Sequence, residues 1–262
     1  MKFNFYFIHG WGFDKTFWHS VKKKIESLKV CKSTESLDLE FFSKNKKTKL
    51  FFKSDNNIFI VHSYGLNWFL KNDPQCKLLF NFFGVPDFIN CQKKPNLIKK
   101  KITRMQEQLE ENPVQVLKSF YKTCNVRYSF QETINIKTLR NALLELKYEN
   151  LSSKFKNLNF PVHTFFSTND KVLDINKENI DFLDNDNHDI NFLNEYDHGF
   201  PNTNPEKCFK LIYKVLNINM ENIDFLDNDY HDINLLNECD HGFPNNNPEK
   251  CFNLIYKVLE KI

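Results

Sequence analysis

Five short apolar runs, separated by stretches of helical periodicity, limit the possible fold more than any other feature of this chain. The runs are FNFYFIH (3–9), LDLEFF (37–42), NIFIVHS (57–63), KLLFNFFG (77–84) and VHTFFST (162–168). Most lack strict alternation of apolar and polar residues, which is typical of strands buried on both faces of a parallel sheet. Helical patterns follow Asp14 and begin at Gly65. We therefore predict an α/β fold in which a mostly parallel central sheet is flanked by helices.

Residues 91–159 interrupt this alternation of strands and helices. The stretch contains NPVQVLKSFYKTC and INIKTLRNALLELKY, which have helical periodicity, with Pro95 and Pro113 marking helix boundaries. We predict that it is a helical cap inserted into a single domain that spans residues 1–262.

The C-terminal part is an internal repeat. Residues 175–217 align without a gap on residues 218–260, and 36 of the 43 positions are identical. Two copies are too few for a solenoid, in which several units stack to share a core. We interpret them as a tandem duplication of one helix-strand-helix unit.

Charge and cysteine content exclude several function classes. The 36 basic and 33 acidic residues leave a net charge of only +3, so the composition does not predict nucleic-acid binding. Seven cysteines without a CxxC pair are typical of reduced thiols in the cytoplasm. We expect no signal peptide, membrane span, metal or cofactor, because the sequence contains no cleavage site, long apolar run, ligand cluster, GxGxxG or P-loop.

Ser63 is the candidate nucleophile. It follows the apolar run NIFIVH and is followed two residues later by Gly65, as in the strand-turn-helix motif G-x-S-x-G. Val61 replaces the first glycine of that motif, and a branched side chain there needs space that the motif does not normally provide. The alternative interpretation is an ordinary serine at the end of a strand.

An acid and a base follow in the order that α/β-hydrolases use, serine then aspartate then histidine. Asp170 lies just beyond the run VHTFFST, and His198 lies in the motif DHGFPN. The second repeat copy carries the same motif at His241. We favour His198 because short connections between neighbouring elements are the rule, and we keep His241 as the alternative base.

Two backbone amides are candidates for an oxyanion hole. HGWG follows the first apolar run, where a glycine-containing turn lets N–H groups approach a developing negative charge. We expect Trp11 to supply one amide and Tyr64, the residue after the nucleophile, to supply the other.

These motifs together resemble one enzyme family. HGWGFDKTFW, HSYG, the helical segment RMQEQLEENPVQVLKSFY and DHGF are similar to the pimeloyl-acyl carrier protein methyl ester esterases of biotin synthesis, over about residues 1 to 217. The resemblance implies an α/β-hydrolase fold, a Ser63–Asp170–His198 triad with a Trp11 oxyanion amide, and hydrolysis of the methyl ester on a carrier-bound pimeloyl chain.

The segment KKPNLIKKKITR in the cap is rich in basic residues. Lys99, Lys100, Lys101 and Arg104 would suit docking of an acidic acyl carrier protein, although a solvated lysine-rich helix is an equally good explanation. The sequence does not fix the oligomeric state, and we expect a monomer. Two other functions stay open: an esterase or thioesterase for another short acyl substrate, or an inactive hydrolase-fold protein that only binds.

Overall fold

The computed structural model describes residues 2–42, 52–129, 132–180 and 187–218. These residues belong to the first of two units into which the chain divides, Met1–Met220. The second repeat copy, with His241, lies outside the described residues, so the predictions made for it stay untested. The assignment of all 262 residues to one domain also stays a prediction.

Six parallel strands form one sheet with the order β2-β1-β3-β4-β5-β6. They are β1 Phe3–Ile8, β2 Cys31–Leu37, β3 Asn57–His62, β4 Leu78–Phe82, β5 Val162–Ser167 and β6 His188–Leu193. The chain moves to one side of β1 for β2 and to the other side for β3. This reversal opens a crevice beyond the carboxyl ends of β1 and β3, where α/β sheets bind ligands.

The predicted strands agree with the sheet except for one. Four apolar runs contain β1, β3, β4 and β5, and every residue of β3 and β4 is buried, as expected for central strands. The strand predicted at 37–42 is wrong, because β2 occupies Cys31–Leu37. This edge strand, CKSTESL, is mostly polar and only Leu37 in it is buried, so it has little apolar signal. The apolar residue Phe41 is buried in the segment that follows β2.

Eight α-helices surround the sheet in the described part of the chain. They are α1 His19–Glu26, α2 Gly65–Asn72, α3 Pro95–Glu111, α4 Pro113–Thr123, α5 Ile136–Tyr148, α6 Ser152–Lys156, α7 Phe200–Thr203 and α8 Pro205–Ile218. The helix predicted after Asp14 begins as a short 3-10 turn, Lys15–Trp18, before α1. Asp14 accepts a hydrogen bond from the Thr16 backbone N–H at 2.7 Å and so caps that turn.

Helices α3 to α6 lie between β4 and β5, within the segment predicted to form the cap. Pro95 and Pro113 occupy the first turns of α3 and α4, where a missing N–H has no cost. The Asn135 side chain accepts from the Thr138 N–H at 3.1 Å and caps α5. Helix α3 packs against both α4 and α5, so the insert is a layer of its own.

The first repeat copy supplies the last strand and the last two helices of the described fold. Strand β6 pairs with β5 at the edge of the sheet, and α8 packs against α1. The segment between β6 and α7 contains His198, which therefore lies beyond the carboxyl end of β6.

Candidate active site

Ser63 lies in a sharp turn between β3 and α2. Its φ of 50° places a non-glycine residue in the left-handed region, which costs on the order of 1 kcal/mol and is held only by surrounding contacts. The Ser63 N–H donates to the Phe82 carbonyl at 2.9 Å, and its own carbonyl accepts from the Leu66 N–H at 2.9 Å. The turn thus presents Ser63 at the end of the most buried part of the sheet.

Val61, the unusual residue of this turn, fits into the sheet. It is fully buried in β3 and is in register with Ile8 of β1 and Asn81 of β4. In this turn the backbone is approached closely at Gly65 instead, where a Cβ atom would lie 2.8 Å from the Ile8 carbonyl oxygen. The turn therefore depends on its second glycine, and the missing first glycine does not prevent it from forming.

Asp170 and His198 are brought together at the carboxyl ends of β5 and β6. The His198 Nδ1 lies 2.7 Å from the Asp170 Oδ2, and both side chains are only 1% exposed. The other oxygen of Asp170, Oδ1, accepts backbone N–H groups from Val172 at 2.7 Å and Leu173 at 2.9 Å. The carboxylate is thereby fixed, and it orients the imidazole with a proton on Nδ1.

The remaining nitrogen of His198 is available as a base. Among the residues that the structure describes, Nε2 is buried and has no hydrogen-bond partner. The segment that carries His198 is anchored by the Ser167 hydroxyl, which accepts from the Tyr196 N–H at 3.1 Å, and by the Gly199 N–H, which donates to the Cys124 carbonyl at 3.0 Å. These contacts fix the imidazole close to the end of β3.

His62, which sequence reasoning missed, links the serine turn to His198, the candidate base. Its Nε2 donates to the His198 backbone carbonyl at 2.8 Å, and the two imidazole centroids are 4.8 Å apart. Because a carbonyl can only accept, the proton of His62 is on Nε2. Burial, followed by the nearby charge of His198, lowers the pKa of His62 well below its usual value.

His9 connects the loop after β2 to the glycine-containing turn after β1. Its Nε2 accepts the Leu39 N–H at 3.1 Å, and its Nδ1 donates to the Gly10 carbonyl at 3.0 Å. This pair of bonds requires the neutral tautomer with a proton on Nδ1. Burial lowers the pKa of His9, which agrees with a ring that stays neutral.

The two buried neutral histidines predict a loss of stability in acid. Their folded-state pKa values are lowered, so the stability they contribute is present above the unfolded pKa of about 6.5 and is lost as pH falls. His62, whose pKa is lowered well below its usual value, should reduce the free energy of unfolding by about 1 kcal/mol between pH 6.5 and 5.5, and His9 should act in the same direction. Urea unfolding at both pH values should show a smaller pH difference for His62→Gln than for the wild-type protein. Equal pH differences would contradict the assignment of a neutral His62.

The two predicted oxyanion donors are free to bind an oxygen. In the described part of the chain, neither the Trp11 nor the Tyr64 backbone N–H donates to another protein group. Trp11 follows β1 and Tyr64 follows Ser63, so both amides lie at the same crevice beyond the carboxyl ends of the strands. Their roles remain predictions.

A cavity of about 450 Å³ extends from Ser63 into the layer of cap helices. Much of its wall is apolar, with Ile98 and Met105 from α3, Val116 from α4, and Leu143 and Leu146 from α5. This size and lining suit a small ligand with an apolar chain.

The four basic residues predicted to bind a carrier fall into two groups. Lys101 and Arg104 are exposed yet line the cavity, so they lie where the cavity meets solvent, together with the acidic Glu111. Lys99 and Lys100 are exposed on the same helix but do not line the cavity. The lysine-rich segment is therefore partly a cavity wall and partly a solvated surface.

No three histidine, cysteine, aspartate or glutamate side chains form a potential metal site within residues 2–42, 52–129, 132–180 and 187–218. Over those same residues, no helix has both the length and the apolar character that a bilayer crossing requires.

Comparison with known proteins gives structural relatives only. No protein-family model matches the sequence, and neither does any curated protein. The fold is similar to that of an esterase from Exiguobacterium antarcticum, with a TM-score of 0.66 and 12% identity over 82% of this chain and 91% of that one. A bromoperoxidase from Bacillus anthracis has a TM-score of 0.63 and 12% identity over 82% and 92% of the two chains. A lipase-esterase related protein from Clostridium acetobutylicum has a TM-score of 0.56 and 16% identity over 80% and 93%.

Proposed function

This chain has the α/β-hydrolase fold, and from that premise we propose that it is a serine carboxylesterase. The observation that carries the proposal is the buried Asp170–His198 pair: its Nε2 has no hydrogen-bond partner among the described residues, and its imidazole centroid lies 4.8 Å from that of His62, the residue before Ser63. A serine, an oriented imidazole, a buried carboxylate and two free amides are the parts that acyl transfer requires.

In the proposed reaction, the Ser63 Oγ attacks the ester carbonyl carbon while His198 Nε2 takes the hydroxyl proton. The Trp11 and Tyr64 amides stabilise the negative charge on the carbonyl oxygen. The bond to the alkoxy oxygen then breaks, and His198 returns the proton to the leaving alcohol. A water molecule attacks the acyl-serine in the same way, which releases the carboxylic acid and restores Ser63.

We propose that the substrate is the methyl ester of a carrier-bound pimeloyl chain, so that methanol is the leaving alcohol. The apolar cavity beside Ser63 supports an acyl chain as the bound group. Lys101 and Arg104 at the mouth of the cavity support an acidic carrier protein, or a phosphate that links carrier and acyl chain. The resemblance of HGWG, HSYG and DHGF to the biotin-pathway esterases supports the same substrate.

The test compares two substrates and two sets of charge reversals. Lys101→Glu with Arg104→Glu should raise KM for a carrier-bound methyl pimeloyl ester by roughly 10-fold or more, because like charges then face an acidic partner. KM for p-nitrophenyl acetate should change less than about twofold. Lys99→Glu with Lys100→Glu also reverses two positive charges of α3, but outside the cavity, and serves as the matched control.

Ser63→Ala tests the enzyme class in the same assay. We expect the wild-type protein, but not this variant, to hydrolyse both esters and to be labelled by a fluorophosphonate probe. A folded wild-type protein that is neither active nor labelled would favour an inactive binding protein. Activity on p-nitrophenyl acetate without activity on the carrier-bound ester would favour another short acyl ester or thioester as substrate.

A further inference from the structure

The side chains of the two proposed oxyanion donors both end on helix α5. The Trp11 indole Nε1 donates to the Leu139 carbonyl at 2.9 Å, and the Tyr64 hydroxyl donates to the Glu145 carboxylate. The Trp11 bond is buried, and the Tyr64 bond is partly buried, because Tyr64 is only 9% exposed while the Glu145 side chain is 28% exposed. Trp11 follows β1 and Tyr64 follows β3, yet both side chains form hydrogen bonds to the same helix, α5.

A second contact reinforces the bond between Tyr64 and Glu145. Lys71, near the end of α2, places its Nζ 2.8 Å from Glu145 and 2.9 Å from Glu149. Helix α2 begins at Gly65, directly after Tyr64. Glu145 therefore contacts Tyr64, directly before α2, and Lys71, near the end of α2.

Tyr64 acts as a hydrogen-bond donor throughout the neutral pH range. Burial raises the pKa of its phenol, and the adjacent Glu145 carboxylate raises it further. A neutral hydroxyl that donates to an ionised carboxylate makes a short, charge-assisted hydrogen bond. Such a bond is strong enough to fix a side chain and the backbone that carries it.

We propose that Glu145 is a positioning residue that aligns the Tyr64 amide on the substrate oxyanion, with α5 holding Trp11 in the same frame. This inference rests on the proposed esterase function. Two amides from separate loops stabilise one oxygen only if both point at it within a few tenths of an ångström. Contacts to one helix provide a common reference for both loops.

The same helix also contacts the bound chain in the proposed complex. Leu143 and Leu146 of α5 line the cavity beside Ser63. An acyl chain that packs on these two leucines presses on the element that holds both donors. The position of the acyl chain and the geometry of the oxyanion hole are thus set by one helix.

The test uses variants that keep both backbone amides. Tyr64→Phe removes only the hydroxyl, and Glu145→Ala removes its acceptor. We expect each to lower kcat for p-nitrophenyl acetate by about 10-fold, less than the 100-fold or more that follows complete loss of an oxyanion donor. KM should stay within about twofold, and the double variant should be no slower than either single variant. Glu145→Gln, which retains an oxygen acceptor, should recover most of the lost kcat.

Two further measurements separate alignment from general damage to the fold. A trifluoromethyl ketone forms a charged tetrahedral adduct on the serine, so its affinity should fall in proportion to kcat. Glu149→Ala removes a contact to Lys71 but none to Tyr64, and it should leave kcat and inhibitor affinity unchanged. If Glu145→Ala does not fold, Tyr64→Phe and Trp11→Phe carry the same test.

The outcomes distinguish this inference from the function on which it rests. Wild-type hydrolysis that Ser63→Ala abolishes, together with unchanged kcat in Tyr64→Phe and Glu145→Ala, would overturn the positioning role alone. Absence of both hydrolysis and fluorophosphonate labelling in the wild-type protein would overturn the proposed function and this inference with it.

Discussion

Replacing His198 by alanine is expected to lower kcat for ester hydrolysis by at least about 10³-fold, because no other base is placed on Asp170 in the described structure. His241→Ala should leave kcat within about twofold. The two histidines share the motif DHGFPN, so the second variant is a closely matched control. Both rates are measured with p-nitrophenyl acetate on folded protein.

Asp170→Asn completes the comparison. The asparagine side chain has nearly the same shape but cannot hold the imidazole with a proton on Nδ1, so kcat should fall by about 10⁴-fold.

Loss of activity in His241→Ala, with activity retained in His198→Ala, would contradict the assignment and place the base in the second repeat copy.

Gly65→Ala should lower the free energy of unfolding by about 3 kcal/mol, more than Gly12→Ala. A Cβ atom at this position would lie 2.8 Å from the Ile8 carbonyl oxygen and 3.0 Å from that of His9. Backbone atoms of a central strand cannot move away, so α2 and the adjacent Ser63 must shift instead. For a protein of this size, the melting temperature should fall by about 10 °C, and ester hydrolysis should fall with it.

Gly12→Ala is the comparison for this effect. Gly12 has a φ of 70°, and the atoms nearest to a Cβ there belong to side chains, those of Phe120 at 3.3 Å and Leu117 at 3.5 Å. The cost is then backbone strain of about 1 to 2 kcal/mol. Urea unfolding measures the free energy of unfolding of both variants. If Gly65→Ala lowers it no more than Gly12→Ala does, α2 can move away from β1.

The sequence predicted those parts of the fold that have a local signal. β3 and β4 are recognisable because every side chain in them is buried, and α5 because its apolar residues recur with helical periodicity. β2 was missed because an exposed edge strand needs few apolar residues. The predicted positions of Ser63, Asp170 and His198 all fall just beyond strand ends, which is where the parallel topology gathers functional side chains.

Other features of the site have no local signal. The Trp11 contact with Leu139 spans 128 residues and that of Tyr64 with Glu145 spans 81, so neither follows from spacing. His62 is also unremarkable as a sequence feature, because its importance lies in a contact with a backbone carbonyl 136 residues away. Tertiary packing alone determines these pairs.

The sheet and the cap carry different parts of the site, and this affects how such a protein can evolve. Ser63, Asp170 and His198 come from loops at strand ends, whereas most of the cavity wall comes from helices between β4 and β5. Mutations in one contiguous stretch of the gene can therefore alter the cavity wall while the proposed reacting groups stay intact. A cap transplanted from a relative would need to retain its bonds to the site, among them acceptors for the Trp11 indole, the Tyr64 hydroxyl and the Gly199 N–H.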